Sequence, residues 1–200
     1  PDIAPGESGS INLGLPEDWQ NYDVLYVTST DQYSRKINTW SWNITKPDDF
    51  IPREVETSAD KVTVTEPDSL LILSSGKTEV SFNKNTGLIV SVKNNNKTIS
   101  FNNGLQFAGL KTKFIGMKHY FFEKAYILEL LYDSGFNAKW TMLPGGWLQL
   151  DYTYKPVGEL DFAGITFSYP ENLVTGATLM ANGPYHVWKN RLKGTQFGVF

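Results

Sequence analysis

Two hundred residues carry a net charge of −3, no cysteine, 17 glycines, 10 prolines and 14% aromatic side chains. An apolar share of 40% suffices for a buried core, which excludes disorder, collagen and coiled coil. The acidic balance gives no footprint for nucleic acid, apolar runs of about five residues cannot span a bilayer, and the missing cysteine removes disulfides, thiolate catalysis and Cys-ligated metals.

The chain opens at Pro1 without an initiator Met or a signal sequence and reads as an excised piece. Its compartment stays open, with a periplasmic or secreted protein favoured. From there the hydrophobic period is two nearly everywhere, which predicts strands with one face on a core and one in water. Strands are expected at roughly 8–14, 22–30 and 36–45, the last with Trp40, Trp42 and Ile44 on one face. Three strands cannot close an immunoglobulin-type sandwich, which takes about seven. The face bearing Trp40 and Trp42 is therefore expected to pack outside this chain or on a second module, as core. Lys46–Ser58 has two prolines and no alternation, and reads as a linker or crossover.

Further strands are expected where Val62 and Val64, Val80 and Phe82, and Leu88, Val90 and Val92 alternate with polar residues. Asp31–Ser34, Lys84–Gly87 and Asn94–Asn96 carry turn chemistry. Leu143-Pro144-Gly145-Gly146 suits a type II turn, with Pro presetting one φ and Gly accepting a positive φ after it. Glu123–Asp133 could pass for a helix, but it lacks a clear N-cap and is rich in Tyr and Ile, so a strand is predicted. Thr195–Phe200 is strand-like with no stop signal, and both ends of the chain read as cuts. The resulting fold class is all-β, an antiparallel β-sandwich.

Chemistry-bearing motifs are sparse. Phosphate-cradling glycine loops, G-x-S-x-G and H-E-x-x-H are missing, and no cofactor or metal is expected. His119 and His186 have no ligand spacing, and ordinary hydrogen bonding is their default role. Glu123, Glu129, Asp133, Asp151, Glu159 and Asp161 could supply an acid/base pair, but nothing in their spacing brings two together. Trp19, Trp147, Tyr185 and Trp188 lie near predicted turns, where an aromatic ring can stack on the C–H face of a sugar. Trp40, Trp42 and Trp140 are expected to fill the core. Lys189, Arg191 and Lys193 alternate, which suggests a solvated strand edge.

Three stretches resemble the large multidomain β-galactosidases and related enzymes of glycoside hydrolase family 2. Pro1–Glu7 through Asp23–Tyr26 to Thr39–Trp42 resembles the closing strands of their immunoglobulin-like domain after the catalytic barrel. Val80–Ile89 (VSFNKNTGLI) is similar to the F-D/N-K-x-T-G-x-I/L hairpin that opens their mutarotase-like supersandwich domain. Asn182–Leu192 resembles that domain's G-P-x-E-x-Y-x-D-R-L segment, with Gly183, Pro184, Arg191 and Leu192 matching, Trp188 for the aromatic and Asn190 for the Asp. His186 stands where the galactosidase pattern has Glu, and Ile99–Lys111 replaces the stretch expected after the hairpin, which argues against galactoside specificity.

The resemblance implies three parts: residues 1–46 as closing strands of an immunoglobulin-like domain, 47–58 as linker, and 59–200 as a truncated supersandwich. It places the catalytic glutamates in an upstream barrel, so no catalytic residue falls on this chain. It makes Tyr185, His186, Trp188, Asn190 and Arg191 candidate sugar contacts, although Gly183-Pro184 as a turn and Arg191 as partner of a buried carboxylate is the structural alternative. The expected function is a non-catalytic accessory region of a β-galactosidase-like enzyme, with the parent's barrel and an oligo- or polysaccharide as partners. A free-standing carbohydrate-binding module, a sandwich acting on sugars through His119 and His186, and an adhesion or scaffold module remain alternatives.

Overall fold

A computed structural model describes residues 3–46, 59–133, 135–153, 155, 157–183, 190 and 195–200. In chain order the strands are β1 (Val24–Thr30), β2 (Lys36–Asn43), β3 (Thr63–Thr65), β4 (Leu70–Ser75), β5 (Thr78–Asn83), β6 (Ile89–Asn94), β7 (Lys97–Ile99) and β8 (Asn102–Ala108). They continue with β9 (Phe114–Phe122), β10 (Ala125–Tyr132), β11 (Asn137–Met142), β12 (Leu148–Thr153), β13 (Gly164–Ser168), β14 (Met180–Gly183) and β15 (Gln196–Val199). Among the described residues there is no α-helix, only 3₁₀ turns at Trp19–Asn21 and Glu171–Leu173. Every strand pair is antiparallel, as the period-two pattern predicted. Residues 8–14 form no strand: among the described residues they have no strand partner, and they are exposed, with Gly14 at φ +55°.

The chain divides into two compact units, residues 1–50 with 177–200, and residues 51–176. In the first, β1 and β2 form a two-stranded ribbon in which Leu25 lies opposite Trp42 and Val27 opposite Trp40. Directly opposed residues share a side, so these four make one apolar face. Trp40 and Trp42 nevertheless remain 44% and 52% exposed, so neither is core within this chain. The ribbon's other side is held. Phe197 of β15 donates its N–H to Ser41 Oγ at 2.7 Å and accepts the Tyr26 hydroxyl at its carbonyl. Residues 177–200, which carry β14 and β15, thus group with the ribbon. Composition marks a linker but cannot show a strand returning from far along the chain.

The second unit is a sandwich. Strands β3 to β7 form a five-stranded meander, β9 to β12 a four-stranded one, and β8 pairs with β13. Leu71, Leu73, Val80, Phe82 and Ile89 of the first sheet share one core with Tyr126, Leu128, Leu130, Ala138, Trp140 and Met142 of the second. Phe82 and Trp140 meet across it with ring centroids 5.7 Å apart. Trp140 is therefore core, as expected, and the segment that could have been a helix is β10, alternating buried and half-buried along its whole length. Burying four such side chains contributes several kcal/mol, at roughly 1.5–3 kcal/mol each.

The expected turns follow their residue chemistry. Gly146 N–H bonds Leu143 C=O at 3.2 Å with Gly145 at φ +87°, as Pro-Gly of a type II turn requires. Asn95 and Asn96, both at positive φ, join β6 to β7 in the manner of a type I′ hairpin. Strand β6 departs from expectation. Its register shifts between Ser81 and Phe82 of β5, leaving Val90 as the extra residue, so Ile89 is buried and Val90 is exposed.

Leu128 is fully buried at the centre of β10. Leu128→Ala is expected to lower stability by about 3 kcal/mol in urea unfolding, through lost transfer energy and the cavity left behind.

Candidate functional site

Of the five residues proposed as sugar contacts, only Asn190 is described, at an exposed turn position; Tyr185, His186, Trp188 and Arg191 lie outside the described residues, with Lys189 and Lys193. Trp147 sits 55% exposed directly after the Pro-Gly-Gly turn, in keeping with a turn-borne aromatic, whereas Trp19 is half-buried in a 3₁₀ turn.

His119, on the inward side of β9, is the centre of a polar cluster. Its Nδ1 lies 2.6 Å from the Tyr126 hydroxyl, and its Nε2 lies 4.0 Å from Glu66 Oε2, which in turn is 3.6 Å from Lys84 Nζ. Burial pushes the Tyr126 phenol pKa up, with the Glu66 charge adding to it, so Tyr126 is a neutral partner for the ring. The Phe121 ring packs edge-on against Tyr126, 4.7 Å between centroids. The arrangement satisfies a buried hydroxyl and ties the ends of β3 and β5 to β9 and β10. Sequence spacing could not show it, since Glu66, Lys84, His119 and Tyr126 come from four different elements.

Two of the six acids, Glu129 and Asp151, line one depression. Glu129 and Asp151 both face the outer side of the four-stranded sheet, but Lys139 stands between them in register and pairs with Asp151 at 3.2 Å. Tyr120 donates its hydroxyl to Glu129, which raises the phenol's pKa. Such cross-strand rows of alternating charge are ordinary for a solvated sheet face. Glu123 occupies the β9–β10 turn at φ +52°. Among the described residues, no three His, Cys, Asp or Glu side chains converge as a metal site.

A cavity of about 470 Å³ opens beside the hairpin that joins β5 to β6. Asn83 organises that hairpin: its side-chain oxygen accepts Asn85 N–H at 2.8 Å and its carbonyl accepts Gly87 N–H at 2.8 Å. Gly87, at φ +72°, lets the hairpin approach Phe114, whose ring would lie 2.7 Å from a Cβ there. Leu88, Phe107, Phe114 and Tyr132 give the cavity apolar walls; Thr86, Gln106, Lys111, Lys113 and Asp133 give it polar ones. This mixture, and this volume, match small-ligand sites in general.

The lysine-bearing segment is fastened at both ends. Residues 113 and 133 bond reciprocally, Asp133 N–H to Lys113 C=O at 3.1 Å and Lys113 N–H to Asp133 Oδ1 at 3.0 Å. Gly109, at φ +78°, passes so close to the Phe162 carbonyl that a Cβ would stand 2.1 Å from its oxygen. Tyr132, 9% exposed, packs its ring between Phe107 and Phe114, and among the described residues its hydroxyl has no hydrogen-bond partner. Burial pushes its pKa up to about 12. The Lys111-Thr112-Lys113 spacing, with alternate residues of an extended segment, was the available sequence signal for this wall.

No protein-family model matches the chain, and no curated protein matches it in sequence.

His119→Ala strands the buried Tyr126 hydroxyl and is expected to cost about 1–3 kcal/mol. In a double-mutant cycle, adding Tyr126→Phe should recover part of that loss, as read by urea unfolding. Tyr132 behaves oppositely. Between pH 10, where the unfolded phenol ionises, and about pH 12, the folded one keeps its proton, so stability falls as pH rises through that window. Tyr132→Phe should fold at least as stably as the parent at pH 7 and lose this alkaline component, measured by melts across pH 9–12.

Proposed function

We propose that this chain is a non-catalytic accessory β-sandwich region of a glycoside hydrolase akin to the multidomain β-galactosidases of family 2. It would support the catalytic barrel and help wall the carbohydrate cleft. The observation that carries this reading is the ribbon β1–β2. Its Leu25, Val27, Trp40 and Trp42 side is apolar, yet both tryptophans are about half exposed. A two-stranded ribbon has no second layer of its own, and an apolar face of this kind suits a surface built to be covered. The same strands are those whose sequence resembles the close of the immunoglobulin-like domain in such enzymes.

Two further features support it. The VSFNKNTGLI stretch forms a tight hairpin whose Asn and Gly have defined structural work, and that hairpin edges a cavity with both apolar and polar walls. A cavity edged by the family-like hairpin is a natural contribution to a carbohydrate cleft.

Incubated with nitrophenyl glycosides, the chain is expected to give no turnover above buffer. Turnover that disappears on replacing an acid such as Glu129 or Asp151 by its amide would overturn the accessory reading. Trp40→Ala with Trp42→Ala should leave the near-ultraviolet dichroism of buried Trp140 intact, because neither ring belongs to that core.

A further inference from the structure

We infer that the cavity beside the β5–β6 hairpin binds an anionic saccharide, a sugar ring carrying a carboxylate or sulfate, through Lys111 and Lys113. The inference rests on the carbohydrate reading above and names its ligand class.

The chemistry follows from the walls. Lys111 and Lys113 are two residues apart on one extended segment, both border the cavity, and both are exposed. Among the described residues, neither ammonium forms an ion pair with a carboxylate. Asp133, which also lines the cavity, accepts the backbone N–H of Lys113 at 3.0 Å, so its carboxylate is held by the main chain and offsets one of the two positive charges. Two ammoniums against one carboxylate leave this wall net positive on a chain of net charge −3. Lysine holds an anion as a compact point charge and tolerates either carboxylate or sulfate geometry.

Charge alone would bind any small anion. The remaining walls select a larger, amphipathic molecule. Phe114, half-buried at the rim, offers ring surface that suits the C–H face of a pyranose, the buried Phe107 and Tyr132 close the floor beneath it, and Thr86 and the Gln106 amide oxygen offer partners to ring hydroxyls. About 470 Å³ exceeds what a bare carboxylate or sulfate fills and suits one or two sugar rings. The reciprocal bonds between residues 113 and 133, and the close pass of Gly109 at Phe162, fix the segment before any ligand arrives. Little ordering is then required on binding.

Calorimetric titration of the whole chain with three oligosaccharides tests this: a galacturonate trimer, its methyl ester, and a sulfated oligosaccharide. Saturable binding of at least one anionic ligand is expected, with uronate and sulfate arms telling which anion is preferred. The neutral ester should bind about tenfold more weakly than the uronate if the carboxylate is the anion read, and Lys111→Ala with Lys113→Ala should weaken the anionic ligand by about tenfold or more. Lys118→Ala, on the outer sheet face, should change nothing. Both lysines of the cavity are exposed, so a melting temperature equal to the parent's certifies the variant. Absence of binding by both anionic ligands, binding undiminished in the double variant, or equal weakening by Lys118→Ala would overturn the inference. Those outcomes leave the accessory reading standing, whereas acid-dependent glycoside turnover would overturn that reading whatever the lysines bind.

Discussion

The inward burial of one strand, β10, is the constraint on which the second unit depends. Tyr126, Leu128, Leu130 and Tyr132 point into the core, and Ala125, Ile127, Glu129 and Leu131 alternate with them. Because a strand repeats every two residues, slipping by one would drive Glu129 inward and expel Leu128 and Leu130. A carboxyl driven inward without a partner must give up its charge while two core leucines are lost to solvent, so the observed register is strongly favoured. The outer row Lys118, Glu129, Lys139 and Asp151 then lines up as a consequence, not as an independent design.

The two ends of that strand carry the two polar features of the unit. Near its start, Tyr126 meets His119 and, through it, Glu66. At its finish, Tyr132 closes the core and Asp133 fastens the Lys111–Lys113 segment. Rigid strand thus delivers side chains to both rims of the sandwich, and the segments packed there inherit its order. The Tyr132 hydroxyl, without a hydrogen-bond partner among the described residues, is the kind of cost that stable cores carry in small number.

Much of the fold was legible in the residues. Alternation identified the strands, including β10, where Tyr and Ile outweighed a helix-like run of Glu and Leu, and Pro-Gly and Asn-Asn marked turns of definable type. The misreadings have physical causes. Residues 8–14 alternate but find no pairing partner, and alternation without a neighbour makes no strand. The bulge at Val90 reverses the phase of β6, and a bulge leaves no periodic trace. Trp40 and Trp42 have the composition of core residues, but burial requires a second layer, which local sequence does not contain. The His119 cluster and the cavity were illegible for another reason: their members are distant in the chain, and only pairing register brings them together.

The hydrogen bond from Phe197 to Ser41 spans 156 residues, while the second unit is one continuous stretch, residues 51–176. Such a layout imposes an order on folding. Emerging from the ribosome, the sandwich has all of its contacts in hand once residue 176 is made. The ribbon's Tyr26 and Ser41 side meets β15 only after the whole second unit has been made. Closing so long a loop from an unfolded chain is entropically costly and slow. The hairpins of the sandwich, each local in sequence, are therefore expected to form before the ribbon meets β15.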